Sequence, residues 1–260
     1  MQIPIQFTSN AKVLSGMLHI PKIKLSHNPT IIICYGLDGT RTELHRQFLF
    51  FSNIAEEIGI TVLRFDYAGL GVSEGDFWDV TIDTKIEDVI TAMNYIDNIY
   101  KNEKHCISLL GVSDGAKVAV QVANQVKKIK SIVLCSPLLY PESHNKHSNN
   151  NINKFAIEQR TKKVVFPFYG LWMNPIYLKQ MMNDNYLHVL IDLEIPTLCT
   201  FGEKDKMNQA LQNEIKSISH IDCVFIKNAD HIYSRSTWAY EVNRKMLNWI
   251  LSKGESTKCK

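Results

Sequence analysis

Cys106-Ile107-Ser108-Leu109-Leu110-Gly111-Val112-Ser113-Asp114-Gly115-Ala116-Lys117-Val118-Ala119-Val120 carries the strongest fold signal in the chain. An apolar run ends in Gly-x-Ser-x-Gly, and small residues follow at once. This is the strand–turn–helix setting in which a serine is pushed out on a strained elbow. The pattern alone is weak, because Gly71-Val72-Ser73-Glu74-Gly75 matches it too. Ser73, however, follows a loop already rich in glycine and leads into Asp76-Phe77-Trp78-Asp79, with no helix directly behind it. Ser113 is therefore the candidate nucleophile. Were it an ordinary turn serine, Gly111 and Gly115 would have no explanation. At an elbow, both flank the position where a side chain would crowd.

Outward from that stretch, the same rhythm repeats. Ile3, Ile5 and Phe7, then Val13, Leu14, Met17 and Leu18, predict two short strands joined at Ser9-Asn10. Residues 30–35, 60–66, 106–110, 131–135, 195–201 and 221–227 read as strands, the first two being continuous apolar runs of the kind buried on both faces of a parallel sheet. Helix spacing covers 43–58, 114–126, 207–218 and 236–251, and Ile86, Val89, Ile90, Met93 and Ile96 form one further helical stripe, its start capped by Thr84 with Glu87. Strand–helix alternation specifies an α/β fold, a mostly parallel sheet with helices on both faces. Residues 137–194 break the rhythm, because they separate two strands by far more than a crossover needs. The expected organisation is one core domain, 1–136 with 195–260, carrying an inserted cap at 137–194. Eight glycines (36, 39, 69, 71, 75, 111, 115 and 202) fall just after strands, on one edge of the sheet. Ligands of open α/β sheets sit at that edge.

The 260 residues are 45% hydrophobic and 21% charged with a net charge of +3, an ordinary soluble composition that argues against a disordered chain, a membrane span or a nucleic-acid partner. The opening MQIPIQFTSNAKVLSG lacks the basic start and apolar stretch of a secretory leader. Five of the six cysteines sit in apolar runs, so all are expected to be reduced and structural, in a cytoplasmic protein.

A serine hydroxyl needs a base. His231, in Asn228-Ala229-Asp230-His231 after the last strand, stands at the working edge. The base needs an acid to orient it. Gly202-Glu203-Lys204-Asp205 follows the preceding strand, and Asp205 is the better candidate, with Glu203 bracing the loop and Asp230 too close in sequence to face its neighbour. An oxyanion hole takes two backbone N–H groups, here those of Asp114, after the nucleophile, and Leu37, in Tyr35-Gly36-Leu37-Asp38-Gly39. His144 and His147 form H-x-x-H, but Glu142 is the sole carboxylate close in sequence and no cysteine stands nearby, so no metal site is expected.

With these residues in order, the sequence resembles the α/β-hydrolase superfamily. More narrowly, it is similar to the serine aminopeptidase-like hydrolases that include bacterial cinnamoyl (feruloyl) esterases and monoacylglycerol lipases. Phe7-Thr8-Ser9 with Leu14-Ser15-Gly16 resembles that family's first two strands, and Tyr35 to Arg41 its His-Gly-x-x-Gly oxyanion loop. Arg64 to Gly75 resembles its Asp-x-x-Gly-x-Gly-x-Ser-x-Gly loop, which makes Ser73 structural. Gly202 to Asp205 and Ala229 to His231 resemble the acid and base segments. Three positions depart: Tyr35 and Leu70 stand where the family has histidines, and Asp114 stands where glutamine or methionine is commoner. A carboxylate at 114 would weaken anion binding unless it points away.

The resemblance implies a serine hydrolase of carboxylic esters or thioesters, with no cofactor, acting on a small-molecule acyl substrate. An acyl carrier is a further candidate donor. The cap is expected to supply an apolar acyl pocket from Phe166, Phe168 and Trp172, and Tyr35 is a further candidate substrate contact. Acyl transfer to an alcohol, amine or carrier thiol is an alternative, as is thioester editing in a biosynthetic pathway, and a ligand-binding protein on the same fold is another. Haloalkane dehalogenation would require an aspartate at position 113.

Overall fold

The computed structural model describes residues 1–140, 155–168 and 170–256. The opening alternation forms a hairpin, β1 (Gln2–Ser9) antiparallel to β2 (Lys12–His19). Its two-residue turn has positive φ at both Asn10 and Ala11, the turn geometry that matches strand twist. There follow β3 (Pro29–Cys34), α1 (Gln47–Glu57), β4 (Thr61–Phe65), α2 (Ile82–Ile99), β5 (Cys106–Val112), α3 (Gly115–Gln125) and β6 (Ile129–Cys135). The long insertion then contributes a separate antiparallel sheet, β7 (Ala156–Ile157), β8 (Val164–Phe168) and β9 (Leu171–Met173), and two helices, α4 (Pro175–Asn183) and α5 (Leu187–Asp192). The chain returns through β10 (Thr197–Gly202), α6 (Gln209–Ile215), β11 (Ile221–Ile226) and α7 (Ser236–Ser256). The stretch His147 to Lys154 and the histidines 144 and 147 lie outside the described residues.

The main sheet has eight strands in the order β1-β2-β4-β3-β5-β6-β10-β11, parallel except at β1 and β2. Helix α1 packs with α7, and α2 packs with α3. The chain lays β4 on one side of β3 and β5 on the other. That reversal opens a crevice at the carboxyl ends of β3 and β5.

Two sequence expectations are corrected. Helix α2 starts earlier than its apolar stripe: Thr81 is the cap, its hydroxyl accepting from the Thr84 N–H while the Thr84 hydroxyl accepts from the Thr81 N–H. Glu87 is turned elsewhere, taking a hydrogen bond from Asn10. The cysteines are not all reduced: Cys106 carries a disulfide, whereas Cys34, Cys135, Cys199 and Cys223 are free. Cysteine usage therefore does not specify a reducing compartment. Among the described residues, no helix is long and apolar enough to cross a membrane.

One buried pair makes stability depend on pH. His19 on β2 is closed from solvent, and the Arg64 Nε–H donates to its Nε2 at 2.9 Å. The ring is thus neutral, with Nδ1 3.3 Å from Glu56 Oε2. Burial, reinforced by the Arg64 charge, pulls its pKa from 6.5 down to about 4. The unfolded chain binds a proton near pH 6.5 and the folded chain only near pH 4, so this contribution is complete above pH 6.5 and drains as pH falls through that window. The loss is expected to reach about 3 kcal/mol, read as a drop in urea midpoint between pH 7 and 4. His19→Gln keeps an acceptor for Arg64 and is expected to flatten that drop.

Candidate active site

The elbow is built by close backbone approach. Ser113 has φ of 52°, a left-handed conformation unusual for a side-chain-bearing residue. Its N–H donates to Cys135 O and its carbonyl accepts from the Leu138 N–H, so both sides of the strained turn are held. A Cβ on Gly115 would lie 2.1 Å from the Cys34 carbonyl oxygen, and one on Gly111 would lie 2.7 Å from the Ala116 Cα. Those obstacles are backbone and cannot swing aside. Gly115→Ala is therefore expected to destabilise the fold by about 3 kcal/mol, measured as a lowered urea midpoint.

The structure brings Ser113, His231 and Asp205 together. Ser113 Oγ lies 3.1 Å from His231 Nε2, and His231 Nδ1 lies 2.8 Å from Asp205 Oδ2. Asp205 is buried, and the Met207 N–H and Asn208 Nδ2 donate to its two oxygens at 3.1 and 2.7 Å. The rival carboxylates are occupied. Glu203 accepts from the Asn228 N–H, and Asp230 accepts from the Ser234 N–H and hydroxyl. Ser73 is structural: its hydroxyl donates to Asp66 O and accepts from the Ser15 N–H.

Gly36 abuts the elbow, since a Cβ on it would stand 3.7 Å from the Ser113 Cβ. The Asp114 carboxylate, the worry raised by the sequence, is buried and points away from the cleft. Tyr177 OH donates to its Oδ2 at 2.7 Å and Lys117 Nζ pairs with its Oδ1 at 2.9 Å. Burial alone would raise this acid; Lys117, Lys85 and the Tyr177 hydroxyl outweigh it and hold the carboxyl below its ordinary range.

The cleft at Ser113 has a volume of about 160 Å³. Apolar Leu37, Leu44, Phe48 and Ile232 line it together with Glu43. The lining of this cleft differs from the expected substrate contacts. Tyr35 is wholly buried beneath the cleft, its ring packed on Phe48 and its hydroxyl donating to Arg41 O, because the side chain leaves the end of β3 toward the core. Phe166, Phe168 and Trp172 do not line the cleft at Ser113. They belong to the insertion's small sheet, where Phe166 packs edge-on to Phe155 and Trp172 borders a separate hollow with Asp76 and Trp78.

Sequence reasoning missed Glu43 and Lys85. Burial pushes the Glu43 carboxyl up to about 7 against the pull of Lys85, and its Oε2 has no hydrogen-bond partner among the described residues. Glu43, His45 and Arg46 all have positive φ, which holds this segment in a strained turn at the cleft. Lys85 lies on the inward stripe of α2, four residues before Val89, so its spacing is the signal that could have found it, whereas its residue type reads as one more solvated helix charge. Among the described residues, no cluster of histidine, cysteine or carboxylate side chains is arranged to hold a metal ion.

Known proteins resemble this chain in sequence and in fold. Residues 2–158 match the FrsA-like esterase family. Esterase FrsA of Yersinia pestis (strain Pestoides F) is 27% identical over 135 residues, 51% of this chain and 31% of that protein, and esterase FrsA of Yersinia pseudotuberculosis serotype O:1b matches equally. The match thus spans about a third of these relatives' own length. In structure, Est1E from Butyrivibrio proteoclasticus with ferulic acid bound superposes with a TM-score of 0.79 at 20% identity, covering 96% of this chain and 98% of that one. A putative hydrolase from Agrobacterium vitis S4 gives 0.69 at 16% identity, with 96% and 98% covered. The eight-stranded sheet, the serine elbow at its switch point and the sequence match lead to one assignment: this chain belongs to the FrsA-like esterase family and has the α/β-hydrolase fold.

Proposed function

We propose that the protein hydrolyses carboxylic esters or thioesters through an acyl-enzyme on Ser113. The observation that carries this reading is the unbroken line of contacts from Ser113 Oγ through the His231 ring to Asp205, opening on a cleft. Ser113 Oγ attacks the carbonyl carbon as its proton passes to His231 Nε2. Asp205 holds the Nδ1 proton and stabilises the imidazolium. The Leu37 and Asp114 N–H groups receive the oxyanion of the tetrahedral intermediate. Collapse breaks the bond to the alcohol or thiol, which leaves with the proton from Nε2. Water then adds by the same route, its proton going to His231, and the acid is released with Ser113 restored. In this reading the 137–194 insertion acts as the cap over the site.

Labelling with a fluorophosphonate, read by intact mass, tests the proposal. A single adduct on the wild type and none on Ser113→Ala supports it, and no adduct on folded wild type refutes it. Turnover of p-nitrophenyl acetate and of methyl ferulate, the latter chosen because Est1E binds ferulic acid, then probes the acyl group.

A further inference from the structure

Lys85 is wholly buried, on α2, and no carboxylate is among its hydrogen-bond partners in the described residues. Its Nζ donates to Gly36 O at 2.7 Å, to Leu37 O at 2.9 Å and to Tyr177 OH at 2.7 Å. All three ammonium donors are thereby used. The rings of Tyr67 and Tyr177 flank it, each 5.1 Å from the nitrogen. Burying an ammonium is costly, and an apolar side chain of similar volume would pack a helix on a sheet at lower cost. What the charge holds is therefore the informative feature.

It holds a peptide unit. The Gly36 carbonyl and the Leu37 N–H belong to the same trans peptide, so they point in opposite directions. An ammonium fixed on the carbonyl keeps the N–H of that peptide turned away from Lys85, in a loop whose Gly36 abuts Ser113. The charge also polarises the peptide and strengthens the N–H as a donor. The second grip, on Leu37 O, stops the next peptide from rotating. The same ammonium reaches the other half of the site. Tyr177 OH, on α4 of the insertion, accepts from Lys85 and donates to Asp114 Oδ2, and Lys117 Nζ completes the line at Asp114 Oδ1. Leu37 and Asp114 are the two residues whose N–H groups would receive an oxyanion.

We propose that Lys85 is a positioning residue for the oxyanion hole, orienting the Leu37 N–H from behind and, through Tyr177, locking it to the Asp114 side of the elbow. The inference rests on the serine-hydrolase reading above. It makes Asp114 part of the hole's support and gives the insertion a mechanical link to the chemistry.

The test compares wild type, Lys85→Met and Tyr177→Phe on p-nitrophenyl acetate and on its thiono analogue, whose C=S accepts hydrogen bonds weakly. Lys85→Met is expected to lower kcat on the oxygen ester by about 100-fold or more with KM within about threefold, the scale of losing one oxyanion donor. The thiono ester is expected to slow far less, so the oxygen-to-thiono rate ratio falls. Tyr177→Phe is expected to move kcat and the ratio the same way by about tenfold, because it removes only the link. A change in packing alone would leave the ratio where it is. An unchanged ratio in a folded Lys85→Met protein overturns the proposal. Should Lys85→Met not fold, an unchanged ratio in Tyr177→Phe overturns it. Wild type that neither labels with fluorophosphonate nor turns over ester overturns the underlying reading instead.

Discussion

Ser113→Ala is expected to lower kcat for p-nitrophenyl acetate by about a million-fold, to the level set by binding and the oxyanion donors alone. The loss should be near-complete because nothing beside it can substitute. Ser73 is tied between Asp66 O and the Ser15 N–H, on another loop. His231 would keep its bond to Asp205 yet have no hydroxyl to deprotonate. The backbone should survive. The left-handed turn at 113 is imposed by its neighbours, and alanine tolerates it at a cost no greater than serine pays, about 1–2 kcal/mol. A folded, unreactive variant, checked by thermal unfolding and by the missing fluorophosphonate adduct, is the expected pair of results. Retained turnover would mean that the nucleophile lies elsewhere.

Asp205→Asn is expected to cost about ten thousand-fold in kcat with little change in KM. The reason is a count of donors. Oδ2 receives both the His231 Nδ1–H and an Asn208 amide N–H, and Oδ1 receives the Met207 N–H. An asparagine has one acceptor oxygen, so its NH2 must face at least one of these donors. If it faces His231, the ring moves its proton to Nε2 and can no longer accept one from Ser113. If it faces Met207, a buried donor is orphaned. The pre-steady-state acylation rate on p-nitrophenyl acetate separates the outcomes. A slowed acylation in a folded protein supports the role, and a wild-type rate would remove Asp205 from the mechanism.

Legible in the residues alone is whatever the chain encodes locally. Continuous apolar runs define strands by their period, and Gly111 and Gly115 define an elbow because only a missing Cβ permits those approaches. The order Ser113, Asp205, His231 can be read because each residue follows a strand at the same sheet edge. What cannot be read depends on which elements lie side by side. Tyr35 looks as well placed for substrate as for core, and only its complete burial in the folded chain decides. Phe166 and Trp172 are aromatic residues in an insertion, and only the fold shows that they sit in its small sheet and are not among the residues lining the cleft at Ser113. Lys85 is an ordinary helix charge in sequence, forty-eight or forty-nine positions from the carbonyls it holds.

The sheet-and-helix order, the elbow at Ser113 and the candidate partners Asp205 and His231 are written in local sequence, because strand period, turn sterics and position at a strand end are properties of a few neighbouring residues. Where the Asp114 carboxylate points, what lines the cleft and what the buried ammonium grips are fixed only on folding. Those outcomes depend on burial and on partners supplied by α2, α3 and α4, elements that meet only when the chain has folded.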